Sequence, residues 1–317
     1  MRSSISLGLP FVASLVSSAW AATYALSDNH VGQDFLTSFT HEAIPDPTSG
    51  RVNYVDQATA LSKNLTFTSA DSLIMRADDT TVLTASGSGR DSVRIKSVKT
   101  YTTHVAVFDV RHMPQGLSTW PAAWETLEDG WPASGEVDIL EGANDVTPNQ
   151  STLHTSPGCT MPDGRAQTGA VVTEDCGDSG GANLGCGVHA PTSNSFGPAF
   201  NQNGGGWYAM ERTSTFIKVW FWARNDPSVP ADVSSGAQSV NTDAWGTSTA
   251  FFPNTDCDIA SKFGQNNIII NLTFCGAWAG ATFAQAGGQG DCATYVNNNP
   301  SAFSEAFWDI AAVRVYT

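Results

Sequence analysis

Basic residues are scarce in this sequence. It carries 15 Lys and Arg against 30 Asp and Glu, which gives a formal net charge of −15, and only 14% of its 317 residues are charged. A surface of this sign repels the phosphates of nucleic acids and the headgroups of anionic membranes. The charge balance therefore disfavours nucleic acid and membrane as partners and suits an uncharged ligand.

The sequence also lacks an apolar run long enough to cross a bilayer, which takes about 20 residues. Residues 7–16 form a much shorter run, and Ile268-Ile269-Ile270 is bounded by asparagines. The first run follows Arg2 and precedes Ala19-Trp20-Ala21, a small-x-small pattern typical of a signal-peptide cleavage site. We therefore predict that residues 1–21 are a signal peptide and that the protein is secreted.

Cysteine does not occur before residue 159. An even number of cysteines in a secreted chain argues for disulfides, although six cysteines allow 15 pairings. The alternative is a zinc site, but the sequence has no C-x-x-C motif and no paired-histidine spacing. We therefore expect three disulfides and assign no metal and no cofactor. The six residues are Cys159, Cys176, Cys186, Cys257, Cys275 and Cys292.

A helical pattern of ten or more residues is missing as well. Short stretches rich in β-branched and aromatic residues, bounded by Gly, Asp, Ser and Pro, are typical of a many-stranded β protein. Residues 101–112 have apolar side chains in both alternating rows, which predicts a central strand covered on both faces. The predicted strands cover residues 64–68, 72–76, 93–97, 101–112, 151–155, 207–213, 216–224, 267–274 and 307–316.

These strands predict one all-β domain over residues 22–317, built from two antiparallel sheets packed face to face. We interpret the start of the mature chain as a wrapping segment anchored by Phe35, Phe39 and Tyr54. Residues 158–206 show no periodicity and are rich in Gly and Asn, so they are predicted to form an irregular binding loop or a disulfide-held lid.

Three carboxylates lie within six residues in the stretch 135–142, GEVDILEG. In a β-strand, Glu136 and Asp138 share one face, and strict alternation would put Leu140 rather than Glu141 beside them. An extra residue at Ile139-Leu140 would shift the register and bring Glu141 onto the same face, as bulges beside active sites often do. We therefore predict a bulged strand with all three acids on one face.

The spacing of these acids is compatible with glycoside hydrolysis. At about 3.3 Å per residue, the Cα atoms of Glu136 and Glu141 would lie about 13 Å apart with the bulge counted. Side chains that lean inward would bring the carboxyls towards the roughly 5 to 5.5 Å of a retaining glycosidase. The alternative is a solvated strand face that is merely acidic, but aligned like charges repel, and clustered titratable groups mark functional sites.

Tryptophans cluster just before the acidic strand. Indole faces stack on the apolar faces of sugar rings and indole N–H groups bind hydroxyls, so carboxylates among tryptophans are typical of a sugar site. We assign Trp120, Trp124 and Trp131 to substrate binding. Trp220 and Trp222 stand at alternate positions in an apolar strand, and we assign them to the core.

Two further polar residues are candidates for the same site. His154 lies on the next predicted strand and would reach a catalytic carboxylate or a sugar hydroxyl if that strand pairs with the acidic one. Arg94 stands between Val93 and Ile95, where it would orient a carboxylate or a sugar; the alternative is an exposed charge on a sheet edge.

A serine peptidase is a weaker alternative. The loop Gly177-Asp178-Ser179-Gly180-Gly181 is reminiscent of a serine-protease nucleophile loop. No His and Asp strands with protease spacing precede it, and a Gly-rich loop beside Cys176 accounts for it without catalysis.

The motif Glu136-Val137-Asp138-Ile139-Leu140-Glu141 resembles the E-x-D-x-x-E signature of glycoside hydrolase family 16, in the bulged form of its laminarinase-like members. Trp120-Pro121-Ala122-Ala123-Trp124-Glu125 and Leu153-His154-Thr155 extend the resemblance to the secreted endo-β-1,3(4)-glucanases of basidiomycete fungi. It runs from about Thr23 to Tyr316 and includes residues 204–212 and 267–275.

The resemblance implies a β-jelly-roll sandwich with an open cleft on its concave face and a retaining double displacement. It assigns Glu136 as nucleophile, Glu141 as general acid/base and Asp138 as the acid that orients the nucleophile. It also implies that substrate binding involves Trp124 and Trp131 together with Arg94, His154 and Trp278. The expected partner is a β-glucan, and we expect a monomer.

Two other functions are compatible with this resemblance. A cell-wall glucan transglycosylase would use the same acids, and a non-catalytic glucan-binding jelly roll would use the tryptophans alone. The presence of both Glu136 and Glu141 disfavours the second alternative. Three Asn-x-Ser/Thr sequons are candidate glycosylation sites, at Asn64, Asn149 and Asn271, and the last of them lies in an apolar strand-like run.

Overall fold

Two large antiparallel β-sheets pack against each other in the computed structural model, which describes residues 22–178 and 184–317. The predicted signal peptide, residues 1–21, and Ser179 to Gly181 of the protease-like loop lie outside the described residues.

Strands account for most of the regular structure. They are β1 (Thr23–His30), β2 (Phe39–His41), β3 (Val52–Tyr54), β4 (Thr66–Thr68), β5 (Leu73–Arg76), β6 (Arg90–Ser92), β7 (Arg94–Tyr101), β8 (His104–His112), β9 (Thr119–Thr126), β10 (Glu136–Glu141), β11 (Gln150–His154), β12 (Ala170–Val171), β13 (Cys186–His189), β14 (Gly206–Arg212), β15 (Phe216–Ala223), β16 (Ser239–Asn241), β17 (Ala250–Pro253), β18 (Asn266–Phe274) and β19 (Phe307–Tyr316).

Helices are short, and the longest α-helix among the described residues has seven residues. This agrees with the lack of a helical pattern in the sequence. The α-helices are α1 (Phe35–Ser38), α2 (Gln57–Ser62), α3 (Gly197–Gln202), α4 (Ala231–Ser234), α5 (Ile259–Lys262) and α6 (Cys292–Asn298). Five residues, Gly276–Gly280, form a π-helical turn directly after β18.

The two sheets differ in strand order. The front sheet has eight strands in the order β12, β13, β11, β10, β9, β18, β7, β2. The back sheet has nine strands, seven of which follow the order β16, β1, β19, β8, β14, β15, β17, while β5 joins β19 and β4 joins β5. The acidic strand β10 therefore lies in the middle of the front sheet, between β9 and β11.

The main core fills the space between the sheets. Strand β10 contributes Val137, Ile139 and Leu140, all fully buried. These side chains belong to the same apolar cluster as Phe108, Tyr208, Met210, Ile217, Ile310 and Val313 of the back sheet and Ile268 and Ile270 of β18. Burial of so much aliphatic and aromatic surface supplies the main driving force for the sandwich.

The outer face of the back sheet carries a second apolar cluster. Trp207, Trp220 and Trp222 project there from β14 and β15 and are covered by a segment, residues 226–249, that contains α4, β16 and Trp245. The assignment of Trp220 and Trp222 to the core is therefore correct. Strand β8 is also covered on both faces as predicted, since Ala106 and Phe108 enter the main core while Val105 and Val107 enter the second cluster.

The bulge predicted in the acidic strand is present. Asp138 pairs with Trp124 of β9, and the next pair joins Leu140 to Ala123, so Ile139 is an extra residue. Because of this residue, Ile139 and Leu140 both point into the core, and Glu141 emerges on the same face as Glu136 and Asp138.

Two expectations about chain organisation need correction. The segment that starts the mature chain does bury Phe35, Phe39 and Tyr54, but it begins with β1, which pairs with β16 and β19. The region 158–206 is not irregular throughout, because β13 extends the front sheet beside β11, and α3 follows. Polar residues within β1 and the shortness of β13 and α3 hide these elements from a search for periodicity.

All six cysteines form disulfides, as expected from their even number. The pairs are Cys159–Cys257, Cys176–Cys186 and Cys275–Cys292. The second pair closes a short loop next to β13, and the first ties that region to the chain before α5. They therefore fix the end of the front sheet that lies beside the acidic strand.

The three sequons lie in different environments. Asn64 is exposed, whereas the side chains of Asn149 and Asn271 are buried and hydrogen-bonded. In the folded chain, glycosylation is therefore an expectation for Asn64 alone among the three. Within the described ranges, the chain forms no helix with the length and apolar character needed to span a membrane.

Candidate active site

Strand pairing assembles a cluster of acids and polar side chains on one face of the front sheet. Glu136 stands opposite His154 of β11, and Asp138 stands opposite Trp124 of β9. Together with Glu141 beyond the bulge, these residues define what we call the acidic face. Asp138 is buried between the two glutamates, while each glutamate keeps part of its surface open to solvent.

His154 contacts the acids, as the pairing of β10 with β11 led us to expect. Its Nε2 atom lies 3.2 Å from Oδ2 of Asp138 and 3.9 Å from Oε1 of Glu136. When protonated, the imidazole stabilises both carboxylates, and when neutral it remains a polar neighbour at the same distance.

Each glutamate receives a hydrogen bond from an indole. Trp131 Nε1 donates to Oε2 of Glu136 at 2.7 Å, and Trp120 Nε1 donates to Oε1 of Glu141 at 2.8 Å. A donor fixed in this way favours the ionised carboxylate and holds the side chain in one orientation. The predicted sugar-binding tryptophans therefore also position the two acids.

Trp124 contacts no glutamate in this way. Its Nε1 donates to Oδ1 of Asn271 at 2.7 Å, and Asn271 in turn donates to the hydroxyl of Tyr54. The guanidinium of Arg94 lies 5.1 Å from the centre of the Trp124 ring, within cation–π range. Trp124 is therefore held on the acidic face from two sides.

Arg94 is buried, so the alternative of an exposed edge charge is wrong. Its Nε donates to Oε2 of Glu42 at 2.8 Å, and its Nη2 donates to Glu128. Lys96 joins both acids in the same network, with Nζ 2.7 Å from Oε2 of Glu128. The backbone oxygen of Glu128 accepts from the N–H of Trp131, so the network also anchors the loop that carries this tryptophan.

Burial sets the protonation behaviour of the two glutamates. Loss of solvent, followed by the negative charge of Asp138, raises the pKa of Glu136 to about 8. The same two causes, in the same order, raise the pKa of Glu141 well above its usual value. Burial therefore contributes more to both pKa shifts than the neighbouring charge does.

The groups that favour ionisation are not the same at the two glutamates. His154, Trp131 and Arg94 lower the pKa of Glu136 and so oppose the effect of burial there. At Glu141 the opposing groups are Trp120 and His154. The surroundings of Glu136 therefore include the permanently charged Arg94, which is not among the opposing groups at Glu141, and this favours Glu136 as the acid that ionises first.

Trp278 lies on the π-helical turn after β18 and meets Trp120 edge to face, with ring centres 5.7 Å apart. Sequence reasoning missed the residue that holds these segments together, Asn144. Its Oδ1 accepts from the N–H of Ser118, and its Nδ2 donates to the backbone oxygen of Ala279. The side chain thereby links the start of β9 to the turn that carries Trp278. Asn144 has φ 57°, which Asn tolerates better than most residues.

Glu136, Asp138 and His154 also have the composition of a metal site, since one ligand atom from each lies within 4.8 Å of the others. Two carboxylates and an imidazole suit several divalent ions. The same three side chains are adjacent to Glu141 and to the two indole donors. This arrangement also suits acid/base and nucleophilic chemistry, which needs no metal.

Comparison with known proteins identifies the family. Laminarinase 16A from Phanerochaete chrysosporium, solved with two β-glucans (6-O-glucosyl-laminaritriose) in its donor and acceptor sites, is 67% identical, with a TM-score of 0.93 over 93% of this chain and 100% of that chain. An elongating family 16 β-1,3-glucosyltransferase is 35% identical, with a TM-score of 0.86 and the same coverage. These similarities confirm the β-jelly-roll sandwich.

Sequence comparison agrees with the structural one. A probable endo-1,3(4)-β-glucanase of Aspergillus fumigatus is 38% identical over 327 residues, which are 98% of this chain and 49% of the relative. This chain thus spans about half the length of that protein. Residues 39–316 match the XgeA-like catalytic domain of family 16. The chain therefore belongs to glycoside hydrolase family 16, the family that its acidic motif resembles.

Proposed function

We propose that this protein is a retaining endo-β-1,3(4)-glucanase that cleaves laminarin-like glucans at internal β-1,3 bonds. One observation carries the proposal: the bulge at Ile139 aligns Glu136, Asp138 and Glu141 on one face, where an indole donates to each glutamate. The 67% identity to a laminarinase with glucans in its donor and acceptor sites supports the choice of substrate.

In the first step, a carboxylate oxygen of Glu136 attacks the anomeric carbon while Glu141 gives its proton to the glycosidic oxygen. The C–O bond breaks, the sugar chain on the acceptor side leaves as an alcohol, and a glycosyl ester of Glu136 remains. The raised pKa of Glu141, caused first by burial, keeps the proton available for this transfer.

In the second step, Glu141, now ionised, takes a proton from a water molecule that attacks the same anomeric carbon. The ester bond breaks and Glu136 regains its carboxylate, so two inversions give net retention. Asp138 lies between the two glutamates and raises the pKa of both, which disfavours a state in which all three acids are ionised. His154 contacts Asp138 and Glu136 and offsets part of this repulsion.

The tryptophans supply the binding surface. Trp131 is 38% exposed, and Trp120 and Trp278 meet edge to face on the Glu141 side. We propose that these rings stack on successive glucose units, with Trp124 between them and Arg94 behind Trp124. We propose that the enzyme also cleaves mixed β-1,3/1,4 glucans where the same rings can bind the mixed-linkage chain.

Transglycosylation is the second candidate, since a family 16 β-1,3-glucosyltransferase covers 93% of this chain at 35% identity. Water and a sugar hydroxyl would compete for the same glycosyl ester. The higher identity to a laminarinase favours hydrolysis. A non-catalytic binding module is disfavoured because it needs neither glutamate.

We also propose that the mature enzyme starts after a signal peptide, residues 1–21, and is a secreted monomer with one catalytic domain. The three disulfides and the excess of acidic residues suit an extracellular enzyme.

The proposed function is tested by digesting laminarin, lichenan and a branched β-1,3/1,6 glucan in parallel and analysing products by size. We expect rapid release of short oligosaccharides from laminarin and slower cleavage of lichenan. Products longer than the donor as the main species would identify a transglycosylase. No cleavage of any of the three glucans would contradict the proposal.

A further inference from the structure

The acidic strand is paired on only one side after its bulge. On the β9 side, pairing resumes at Leu140 with Ala123 and at Glu141 with Ala122. On the β11 side, pairing ends at Asp138 with Thr152, although β11 continues to Gln150. The backbone groups of β10 that face β11 beyond Asp138 therefore need other partners, because buried peptide groups are costly when unpaired.

The side chain of Asn149 supplies these partners. Its Oδ1 accepts from the N–H of Glu141 at 2.9 Å, and its Nδ2 donates to the backbone oxygen of Ile139 at 3.2 Å. A side-chain amide has the same donor and acceptor as a peptide group. Asn149 thus replaces a strand residue at the position where the bulge ends the ladder.

Ser151 strengthens this arrangement. Its Oγ donates to the same backbone oxygen of Ile139 at 2.9 Å, and Asn149 Nδ2 lies 3.4 Å from that Oγ. Asn149 is itself fixed, because its backbone N–H donates to Oγ of Ser195 at 3.0 Å. Both side chains are buried, with 1% of each residue exposed.

We infer that Asn149 and Ser151 are positioning residues that hold the bulge closed and thereby aim Glu141 at the glycosidic oxygen. The inference rests on the proposed function, since it assigns these residues to the acid/base of that reaction. The side chains of both residues bind backbone atoms of β10 on either side of the bulge, so they act on Glu141 through the backbone and not through the substrate. An acid displaced by about 1 Å transfers its proton far less effectively.

A substrate that needs no acid separates positioning from general damage to the fold. A 2,4-dinitrophenyl laminari-oligosaccharide loses a stable phenolate, so its first step depends on Glu136 but hardly on Glu141. In laminarin the leaving group is a sugar alcohol that requires the proton. Displacement of the Glu141 carboxyl should therefore lower kcat/KM for laminarin much more than kcat/KM for the aryl substrate.

The experiment compares wild type, Asn149→Ala and Ser151→Ala on both substrates. Both changes delete a sequon, so all proteins are made in a host without N-glycosylation. For Asn149→Ala we expect kcat/KM to fall about 10²-fold on laminarin and less than about 3-fold on the aryl substrate. Ser151→Ala leaves one bond to Ile139, and we expect a fall of about 3-fold on laminarin alone. Ser151→Ala decides the question if Asn149→Ala does not fold.

Azide provides a second readout. It attacks the glycosyl ester as an anion, forms a C–N bond and releases the Glu136 carboxylate, and it needs no general base. We therefore expect azide to raise kcat of Asn149→Ala on the aryl substrate and to yield a β-glycosyl azide. A variant damaged elsewhere would show neither effect.

Asn201 is the matched control, since its side chain also brackets a peptide, accepting from the N–H of Met113 and donating to its oxygen at 2.9 Å each. We expect Asn201→Ala to change kcat/KM by the same factor on both substrates. An equal loss on both substrates for Asn149→Ala, or no loss, would overturn the inference. Failure of wild type to cleave laminarin would instead contradict the proposed function.

Discussion

The two faces that carry tryptophan clusters use the same residue for opposite purposes. On the acidic face, the N–H groups of Trp131 and Trp120 donate to Glu136 and Glu141, and Trp131 is 38% exposed. On the outer face of the back sheet, Trp220 and Trp245 are almost fully buried. Their N–H groups donate to Gly246 and Asp232, which belong to the covering segment 226–249.

The difference shows that exposure of the rings, more than the number of tryptophans, distinguishes the two clusters. The rings of Trp220 and Trp222 each meet Trp245 edge to face, which fills space and leaves no face for a sugar. Trp131 on the acidic face is 38% exposed and keeps ring surface open for stacking. Loss of a tryptophan from the back-sheet cluster should therefore cost stability, and loss of one from the acidic face should cost catalysis.

Glu136→Gln gives the largest expected effect. The amide cannot attack the anomeric carbon, so we expect kcat on laminarin to fall by about 10⁴-fold or more. The thermal midpoint should stay the same or rise, because burial of the Glu136 carboxyl beside Asp138 is unfavourable. Reducing-sugar assays and calorimetry check both results. Near-normal hydrolysis by this variant would exclude Glu136 as the nucleophile.

Trp220→Ala tests the back sheet. Removal of a buried indole from the second cluster should lower the free energy of unfolding by about 3 to 5 kcal/mol. The folded fraction should keep the wild-type kcat/KM on laminarin. Urea unfolding followed by tryptophan fluorescence measures the first quantity. A variant of unchanged stability with a lower kcat/KM would reverse the assignment of this cluster.

Trp131→Phe is the counterpart on the acidic face. Phenylalanine keeps an aromatic face but removes the donor to Glu136, and a hydrogen bond to a charged group contributes about 1.5 to 3 kcal/mol. We expect kcat/KM on laminarin to fall by about 10-fold or more while the urea midpoint stays unchanged, since the ring is partly exposed. Trp222→Phe is the control and should show the opposite pattern.

The pH dependence of stability distinguishes two buried carboxyls. Burial raises the pKa of Glu136 to about 8 and also raises the pKa of Glu211, which lies under the covering segment. Because each folded pKa is above the unfolded one, the stability that each group contributes is present at low pH and is lost as the pH rises towards its folded pKa. Glu136 should therefore make stability fall between about pH 5 and pH 8, by up to about 1.4 kcal/mol per pH unit, and Glu211 should add to the decline as the pH rises above its unfolded pKa.

Glu136→Gln and Glu211→Gln should each flatten this decline in urea unfolding measured at several pH values. Glu211→Gln should leave hydrolysis of laminarin unchanged, because Glu211 contacts Tyr24 of the back sheet and Thr242 of the covering segment. A slope that neither variant alters would contradict the raised pKa values.

Chelation gives the smallest expected effect. Although Glu136, Asp138 and His154 have metal-ligand geometry, the proposed reaction uses Glu136 as a nucleophile, which requires a free carboxylate oxygen. We expect kcat/KM on laminarin and the thermal midpoint to be the same with and without EDTA. A loss of activity that Zn²⁺ or Ca²⁺ restores would identify a metal site instead.

The bulge in the acidic strand was predictable from the spacing of its three acids. Three acids on one face are incompatible with strict alternation from Glu136 to Glu141, and only an extra residue removes the conflict. The position of His154 followed from the pairing of two strands that are adjacent in sequence. The burial of strand β8 on both faces was predictable because both sets of alternating positions in it carry apolar residues.

Other features depend on contacts that the local sequence does not reveal. In strand β9, Pro121, Ala122 and Ala123 interrupt the β-favouring residues, yet the strand pairs with β10 and β18. Arg94 is buried because Glu42 and Glu128 reach it from other segments. Polar residues such as Asn144 bind backbone groups, and no side-chain pattern marks such positions in advance.

The most direct test of the central claim is the stereochemistry of the first product. Laminarin is digested with a high concentration of enzyme, and the anomeric protons of the new reducing ends are followed by NMR before mutarotation. A double displacement by Glu136 and Glu141 predicts that the β-anomer forms first and the α-anomer appears later at the rate of mutarotation. Initial formation of the α-anomer would contradict the account.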